Sequence, residues 1–318
     1  MDLERMLDKC HRGQWRIEDI DWTLPPRAMS RREEMAVVQY FWNMSGIERL
    51  ARALFEEQRR RTDDPVLAEI FTTFIEDEER HALVAERLAR HYDVHEYRTY
   101  QLDPALVAFR PVFLDAIRKV SAEFATLYIT TGELLLDTAL LRSLADYVDD
   151  ELCNRVMRLV NRDESRHIAV DYHMVGYYAS DEYQAWLRSQ PRRPLRHHVR
   201  AAWNFLAVLY YASPFIQQIF IGPLRHLDPS MSRMREAFHR IQILGRKPDV
   251  ARRPFTRFLR TMQMVYDAPV IGTVLGRVAA RVAGVPGHVL TRLYDEAEER
   301  RAAAMSYEEL AREAVAMY

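Results

Sequence analysis

Asp163-Glu164-Ser165-Arg166-His167 repeats the pattern of Asp77-Glu78-Glu79-Arg80-His81, 86 residues further along the chain. Each copy has a partner glutamate upstream in an apolar run: Glu48 precedes Glu78 by thirty residues, and Glu133 precedes Glu164 by thirty-one. Glu and His at i and i+3 project from one face of a helix. Four glutamates and two histidines in this order predict a two-metal carboxylate site. Its expected metal ligands and catalytic residues are Glu48, Glu78, His81, Glu133, Glu164 and His167.

The spacing also predicts helical hairpins. A helix rises about 1.5 Å per residue, so antiparallel neighbours joined by a short turn stand level at equal distances from it. Thr62-Asp63-Asp64-Pro65, an N-cap residue followed by proline at the first helical position, breaks the chain between Glu48 and Glu78. Glu48 lies fifteen residues before Asp63 and Glu78 fifteen after it. Between Glu133 and Glu164 the break falls within Ala145-Asp146-Tyr147-Val148-Asp149-Asp150, with Asp149 or Asp150 as the cap. Each hairpin thus holds two glutamates and a histidine at one height.

Around these hairpins the chain reads as all-α, with four long helices over about 29–61, 65–92, 105–143 and 150–179. Residues 1–28 read as an irregular lead-in ending at Pro25-Pro26, with Trp15 and Trp22 as packing anchors. The link from Asp93 to Pro104 is long enough to contribute to a crossover along a bundle. Residues 1–180 form the expected bundle unit and 181–318 a helical extension packed on it, within one domain. That extension opens with Pro191-Arg192-Arg193-Pro194-Leu195-Arg196-His197-His198, followed by an uncharged run from Ala201 to Leu224. The run is long enough to span a bilayer, but Asn204, Pro214, Gln217 and Gln218 interrupt it. It reads as a buried helix covering the bundle, with a membrane span or interfacial helix as the alternative. Arg277, Arg281 and Arg292 mark a basic face further on.

Composition narrows the classes. With 48% hydrophobic and 29% charged residues in 318, the chain can bury a sizeable core. A net charge of −1 gives no electrostatic case for nucleic acid. Two cysteines, Cys10 and Cys153, rule out a thiolate cluster, and an N-terminus of Met1-Asp2-Leu3-Glu4-Arg5 lacks the apolar segment of a signal peptide. A cytoplasmic location is the default expectation.

Glu48 follows Tyr40-Phe41-Trp42-Asn43-Met44-Ser45-Gly46-Ile47, and Glu133 sits within Leu127-Tyr128-Ile129-Thr130-Thr131-Gly132-Glu133-Leu134-Leu135-Leu136. Carboxylates in such surroundings are buried, which costs several kcal/mol unless they are protonated, paired or metal-bound. Asp77 and Asp163 each precede a ligand glutamate, about 100° round the helix, a direction that suits accepting the free N–H of a histidine on the facing helix. Arg80 and Arg166 either neutralise this shell or face water. Asp171 extends the polar network, and His173 is structural. Met44, Phe74, Thr130 and Val160, one turn from the ligands, and Phe41, two turns from Glu48, are the expected walls of a substrate pocket, with core packing as the alternative.

On these residues the chain resembles the ferritin-like di-iron carboxylate oxygenases and oxidases, which include acyl-carrier-protein desaturases, arylamine N-oxygenases and ribonucleotide reductase small subunits. The resemblance covers about residues 30–180 and implies a ferritin-like four-helix bundle with additional C-terminal helices. The segment Arg162-Asp163-Glu164-Ser165-Arg166-His167 is most similar to the arylamine N-oxygenases. Those enzymes carry a further histidine four residues before the last helix glutamate, where this chain has Val160. The radical tyrosine of the reductases is replaced by Ala85. Neither N-oxygenation nor a tyrosyl radical is carried over.

What the resemblance implies is an O2-activating di-iron monooxygenase acting on a hydrophobic or aromatic small molecule, free or carrier-bound. Two iron ions, with manganese able to replace one, and O2 as co-substrate are the implied cofactors. An external electron donor, ferredoxin or reductase, and a homodimeric assembly are the implied partners. A desaturase-like oxidase and a rubrerythrin-like or ferritin-like iron-handling protein are the alternatives, the last disfavoured by the extra residues 181–318.

Overall fold

In the computed structural model, the described residues are 1–191, 194–268 and 287–315, together with 272, 276, 278, 280, 281 and 285. Arg192, Arg193 and Arg277 lie outside them. Every long element is a helix, and no strand occurs among the described residues.

The first helix of the centre, α2 (Arg31–Arg59, after a short α1 over Leu3–Arg12), starts at a reciprocal capping box. Glu33 N–H donates to Ser30 Oγ (3.3 Å), and Ser30 N–H donates back to the Glu33 carboxylate (2.8 Å). Helix α3 (Pro65–Tyr92) starts where Asp64 accepts from the Val66 and Leu67 amides at 2.9 and 3.0 Å, with Pro65 at the first helical position. These two form the first predicted hairpin.

The third predicted helix is two. Helix α4 (Pro104–Lys119) contains Pro111 and stops where Val120 turns extended. Ser121 then caps a new helix, α5 (Ala122–Val148), by accepting from Phe124 N–H at 3.2 Å. The capping serine follows an extended residue, between a basic last turn (Arg118, Lys119) and an acidic first turn (Glu123). Helix α5 has one further irregularity, a π-helical stretch from Leu135 to Leu141 that begins two residues after Glu133. It ends at Asp149, in the left-handed conformation (φ 45°), and Asp150 caps α6 (Glu151–Ala179).

Helix α2 packs on α3 and α5 on α6, while α2 also meets α5 and α3 meets α6, giving four helices around one core. Positions 77 and 81 of α3 face 167 and 163 of α6, so these two run antiparallel. The lead-in contains α1, capped by Asp2, where the sequence suggested irregular chain. Its Leu3, Met6, Leu7 and Cys10 follow helical spacing, and Met6 and Cys10 are buried against α3 and α6.

The second half wraps this core. Helix α7 (Asp181–Ser189) continues from α6, and α8 (Leu195–Leu227) lies on α4, with Phe109 stacked on Phe215 at 4.4 Å. Helix α9 (Ser232–Leu244) covers the π stretch of α5, α10 (Pro254–Asp267) packs on α5, and α11 (Glu296–Ala304) packs on α9. Helix α12 (Tyr307–Val315) seats its Tyr307 ring where a Cβ on Gly176 of α6 would lie only 2.6 Å away. Two helices, α5 and α8, are long and apolar enough to cross a membrane. The most apolar window of α5 is 72% buried, that of α8 only 33%. Helix α8 is therefore half a cover and half a surface, where the sequence suggested a fully buried cover.

Asp150 ties three elements together: it accepts from Cys153 N–H (2.8 Å), from the buried Tyr92 hydroxyl (2.7 Å) and from Arg27 N–H (3.2 Å). Asp150→Ala removes a helix cap and orphans the Tyr92 hydroxyl. The expected loss is about 2–4 kcal/mol in urea-unfolding free energy, with far-ultraviolet circular dichroism unchanged below the transition.

Candidate metal centre

All six residues singled out by the repeat converge at the meeting of α2, α3, α5 and α6, each 0–3% exposed. They fall into two overlapping groups, Glu48, Glu78, His81 and Glu164, and Glu78, Glu133, Glu164 and His167. Within each group one ligand atom per residue lies within 4.8 Å of all the others. Glu78 and Glu164 belong to both. One hairpin adds Glu48 and His81 to this shared pair, and the other adds Glu133 and His167.

Inside the cluster His167 Nδ1 and Glu164 Oε2 form a hydrogen bond of 3.2 Å, while other contacts are close but misaligned. His81 Nδ1 lies 3.2 Å from Glu164 Oε1, and His167 Nδ1 lies 3.1 Å from Glu78 Oε1. Yet His81 Nδ1, Glu164 Oε1, both oxygens of Glu78, both of Glu48 and Glu133 Oε2 make no hydrogen bond among the described residues. Buried polar groups are normally satisfied. Here they point at common centres instead of at one another, the arrangement expected of groups that could hold cations.

Behind this layer the imidazoles are fixed crosswise. His81 Nε2 reaches Asp163 Oδ2 at 3.2 Å, and His167 Nε2 reaches Asp77 Oδ2 at 3.4 Å, each on the facing helix as the sequence suggested. With Nε2 held as the donor, Nδ1 of each ring is the nitrogen directed inward, and it offers a lone pair to a cation once its own proton is shed. Arg80 and Arg166 bridge the two aspartates. Arg166 donates to Asp163 (2.7 Å) and Asp77 (3.2 Å), while Arg80 donates to Asp77 and, at 3.3 Å, to Asp163. Neither arginine is merely a solvent-facing charge.

The lead-in completes this shell, which was not legible in the sequence. Trp15 Nε1 donates to Asp163 (2.7 Å) and Gln14 Nε2 to Asp77 (3.0 Å), and the Arg80 guanidinium lies 5.0 Å over the Trp15 ring. Gly13 lets the lead-in approach: a Cβ there would sit 2.5 Å from Arg166 Nη1. Asp137 was also missed, although it stands four residues after Glu133 in the same apolar run. It is buried and paired with Arg142 at 3.0 Å, and burial, partly offset by Arg142, pushes it up to about 6. Asp171 is fully buried beside Thr130 and Gln58, and burial pushes it up to about 7.

Phe41, Met44, Phe74, Thr130 and Val160 are all 0% exposed. Phe41 is stacked on Tyr92 at 5.6 Å, and Phe74 lies 4.1 Å from the His167 ring, so these aromatics are packed walls that keep water from the centre. An apolar cavity of about 90 Å³ lies on another face of α5, between Leu127, Thr131 and Leu134 on one side and Phe238, Ile241 and Leu259 on the other.

The charge balance of the cluster follows from its burial. Burial, reinforced by neighbouring carboxylates, pushes Glu48 and Glu133 well above the usual carboxylate range. Burial acts against Glu164 too, but His167 and His81 outweigh it and hold this group below that range. Burial opposes the charging of His81, yet Asp163 and Glu164 raise it to about 9.

No family model, curated protein or solved structure matches the chain.

A group whose folded-state value is raised stabilises the fold below its unfolded value and loses that contribution as pH rises through the folded one. For His81 the window runs from 6.5 to about 9, and Glu48 and Glu133 act with the same sign. Chelator-treated protein is therefore expected to lose about 3 kcal/mol between these limits from His81 alone. Calorimetric melting should give a lower Tm at pH 9 than at pH 6.5. Added divalent metal should remove or reverse that slope, because bound ligands must shed the same protons.

Proposed function

We propose that the chain is an O2-activating non-haem di-iron monooxygenase of the ferritin-like four-helix-bundle type, acting on a hydrophobic or aromatic small molecule. The observation that carries this is the pair of overlapping groups that share Glu78 and Glu164. Seven of their buried polar atoms approach one another without forming hydrogen bonds. Glu48, Glu78, His81 and Glu164 would hold one ion, and Glu78, Glu133, Glu164 and His167 the other. Carboxylate and imidazole ligands suit iron or manganese, so a mixed pair is compatible with the set. When bound, the metal pair would supply the O2 chemistry that these side chains cannot perform alone.

The protein's own residues have separable tasks in this reading. Asp77 and Asp163 orient His167 and His81 through Nε2 and make Nδ1 the better ligand. Arg80 and Arg166 offset the negative charge of that layer. Asp171, near neutrality in its proton affinity, can hold a proton beside Thr130 and close to Glu133. Phe74, Phe55 and Met44 exclude water, which preserves the strength of these interactions. Electrons would come from an external ferredoxin or reductase.

One observation favours a second reading. The six residues are sealed at 0–3% exposure, and the apolar cavity behind α5 measures about 90 Å³, short of the roughly 300 Å³ of an ordinary ligand pocket. A peroxide-consuming or iron-handling protein needs no more room than that. The oxygenase reading instead requires α5 to yield at its π stretch, a kind of irregularity often found at functional sites.

Iron-loaded protein is expected to contain two ions per chain and to consume O2 when reduced. Glu48→Ala, Glu133→Ala and His167→Ala should abolish consumption while keeping helical circular dichroism, since large bundles take their stability from apolar faces. With a turned-over substrate, ¹⁸O from O2 should enter the product; label only in water points to a desaturase-like oxidase. Reaction of the reduced protein with peroxide far faster than with O2 would select the second reading, and normal turnover by the variants would sink both.

A further inference from the structure

We propose that the outer face of α8 binds an anionic bilayer surface, independently of what the centre does. Leu195, Val199, Trp203, Leu206 and Tyr210 recur at helical spacing along one face and are 77%, 62%, 72%, 57% and 75% exposed. The opposite face is core: Val208, Ala212, Phe215 and Ile219 are buried, and Phe215 stacks on Phe109. The helix is therefore fixed by one side to the protein and lies along its surface. A membrane span would have to strip that buried face from the core, so the geometry is that of an interfacial helix.

Charge decides among occupants of this row. Exposed Arg196 and Arg200 border it on one side and exposed His198 on the other. Between Tyr183 and Leu227 the chain has no Asp or Glu, although it carries 46 elsewhere. A second copy docked through the same row would bring Arg196 and Arg200 against another α8, whose own residues include no acid to pair them. An anionic lipid surface supplies the missing counter-charge, takes Leu195, Val199 and Leu206 into the acyl boundary, and places Trp203 and Tyr210 at headgroup level. Contiguous apolar exposure of this kind marks interaction surfaces.

The test is co-sedimentation of the full chain with phosphatidylcholine vesicles, with and without phosphatidylglycerol. Binding is expected on the phosphatidylglycerol vesicles, weak on phosphatidylcholine alone, and falling with added salt. Arg196→Ala with Arg200→Ala should weaken partitioning about 30-fold, roughly fivefold for each arginine. Trp203→Glu with Leu206→Glu should abolish it; should that pair misfold by circular dichroism, the arginine pair still decides. Equal binding to both vesicles, or binding to neither, overturns the proposal. So does a wild-type dimer in sedimentation velocity that the Trp203→Glu, Leu206→Glu chain converts to monomer, which would assign the row to a second copy.

Discussion

The structure is organised around a desolvation problem. Glu48, Glu78, Glu133 and Glu164 lie with His81 and His167 at the contact of four helices, where water does not reach. Four carboxylates so placed would repel one another and lose their hydration, a cost of several kcal/mol for each one left charged and unpaired. Protonation of Glu48 and Glu133 and charging of the two histidines relieve part of it. Two cations would relieve the rest. Much of the surrounding architecture makes sense as support for that cluster: two level hairpins, crossed aspartate partners, two bridging arginines and a lead-in that folds back over them.

How far this was legible in the sequence depended on whether the signal was local. The Asp-Glu-x-Arg-His repeat and equal distances about Asp63 specify two hairpins, because helical rise and period are fixed. The bounds Arg31–Arg59, Pro65–Tyr92 and Glu151–Ala179 lie within two residues of expectation, since Ser30, Asp64 and Asp150 are strong caps. The break at Val120-Ser121 was passed over, although the basic Arg118 and Lys119 precede it and the acidic Glu123 follows it. The capping hydroxyl of Ser121 adds to those charges. The same local logic could have found α1 and Asp137, whose spacings are in the sequence. Trp15 and Gln14 could not be found that way, because their partners lie 148 and 63 residues distant.

The aromatic and aliphatic neighbours of the ligands show why a wall and a core cannot be told apart from spacing. Met44, Phe74 and Val160 stand one turn from a glutamate and Phe41 two, and all are closely packed. Any space for a substrate depends instead on residues such as Phe238, Ile241 and Leu259 from the second half, whose approach to α5 no local pattern announces. The second half thus has two roles in this account. Helix α9 covers the π stretch beside Glu133, and α8 presents an apolar row to the outside.

The most direct measurement of the central claim is anomalous diffraction at the iron edge from crystals of iron-loaded protein. Two peaks per chain, about 3.5–4 Å apart and both touching Glu78 and Glu164, are expected, one beside His81 and the other beside His167. A single peak, or iron bound away from these carboxylates, would contradict the account.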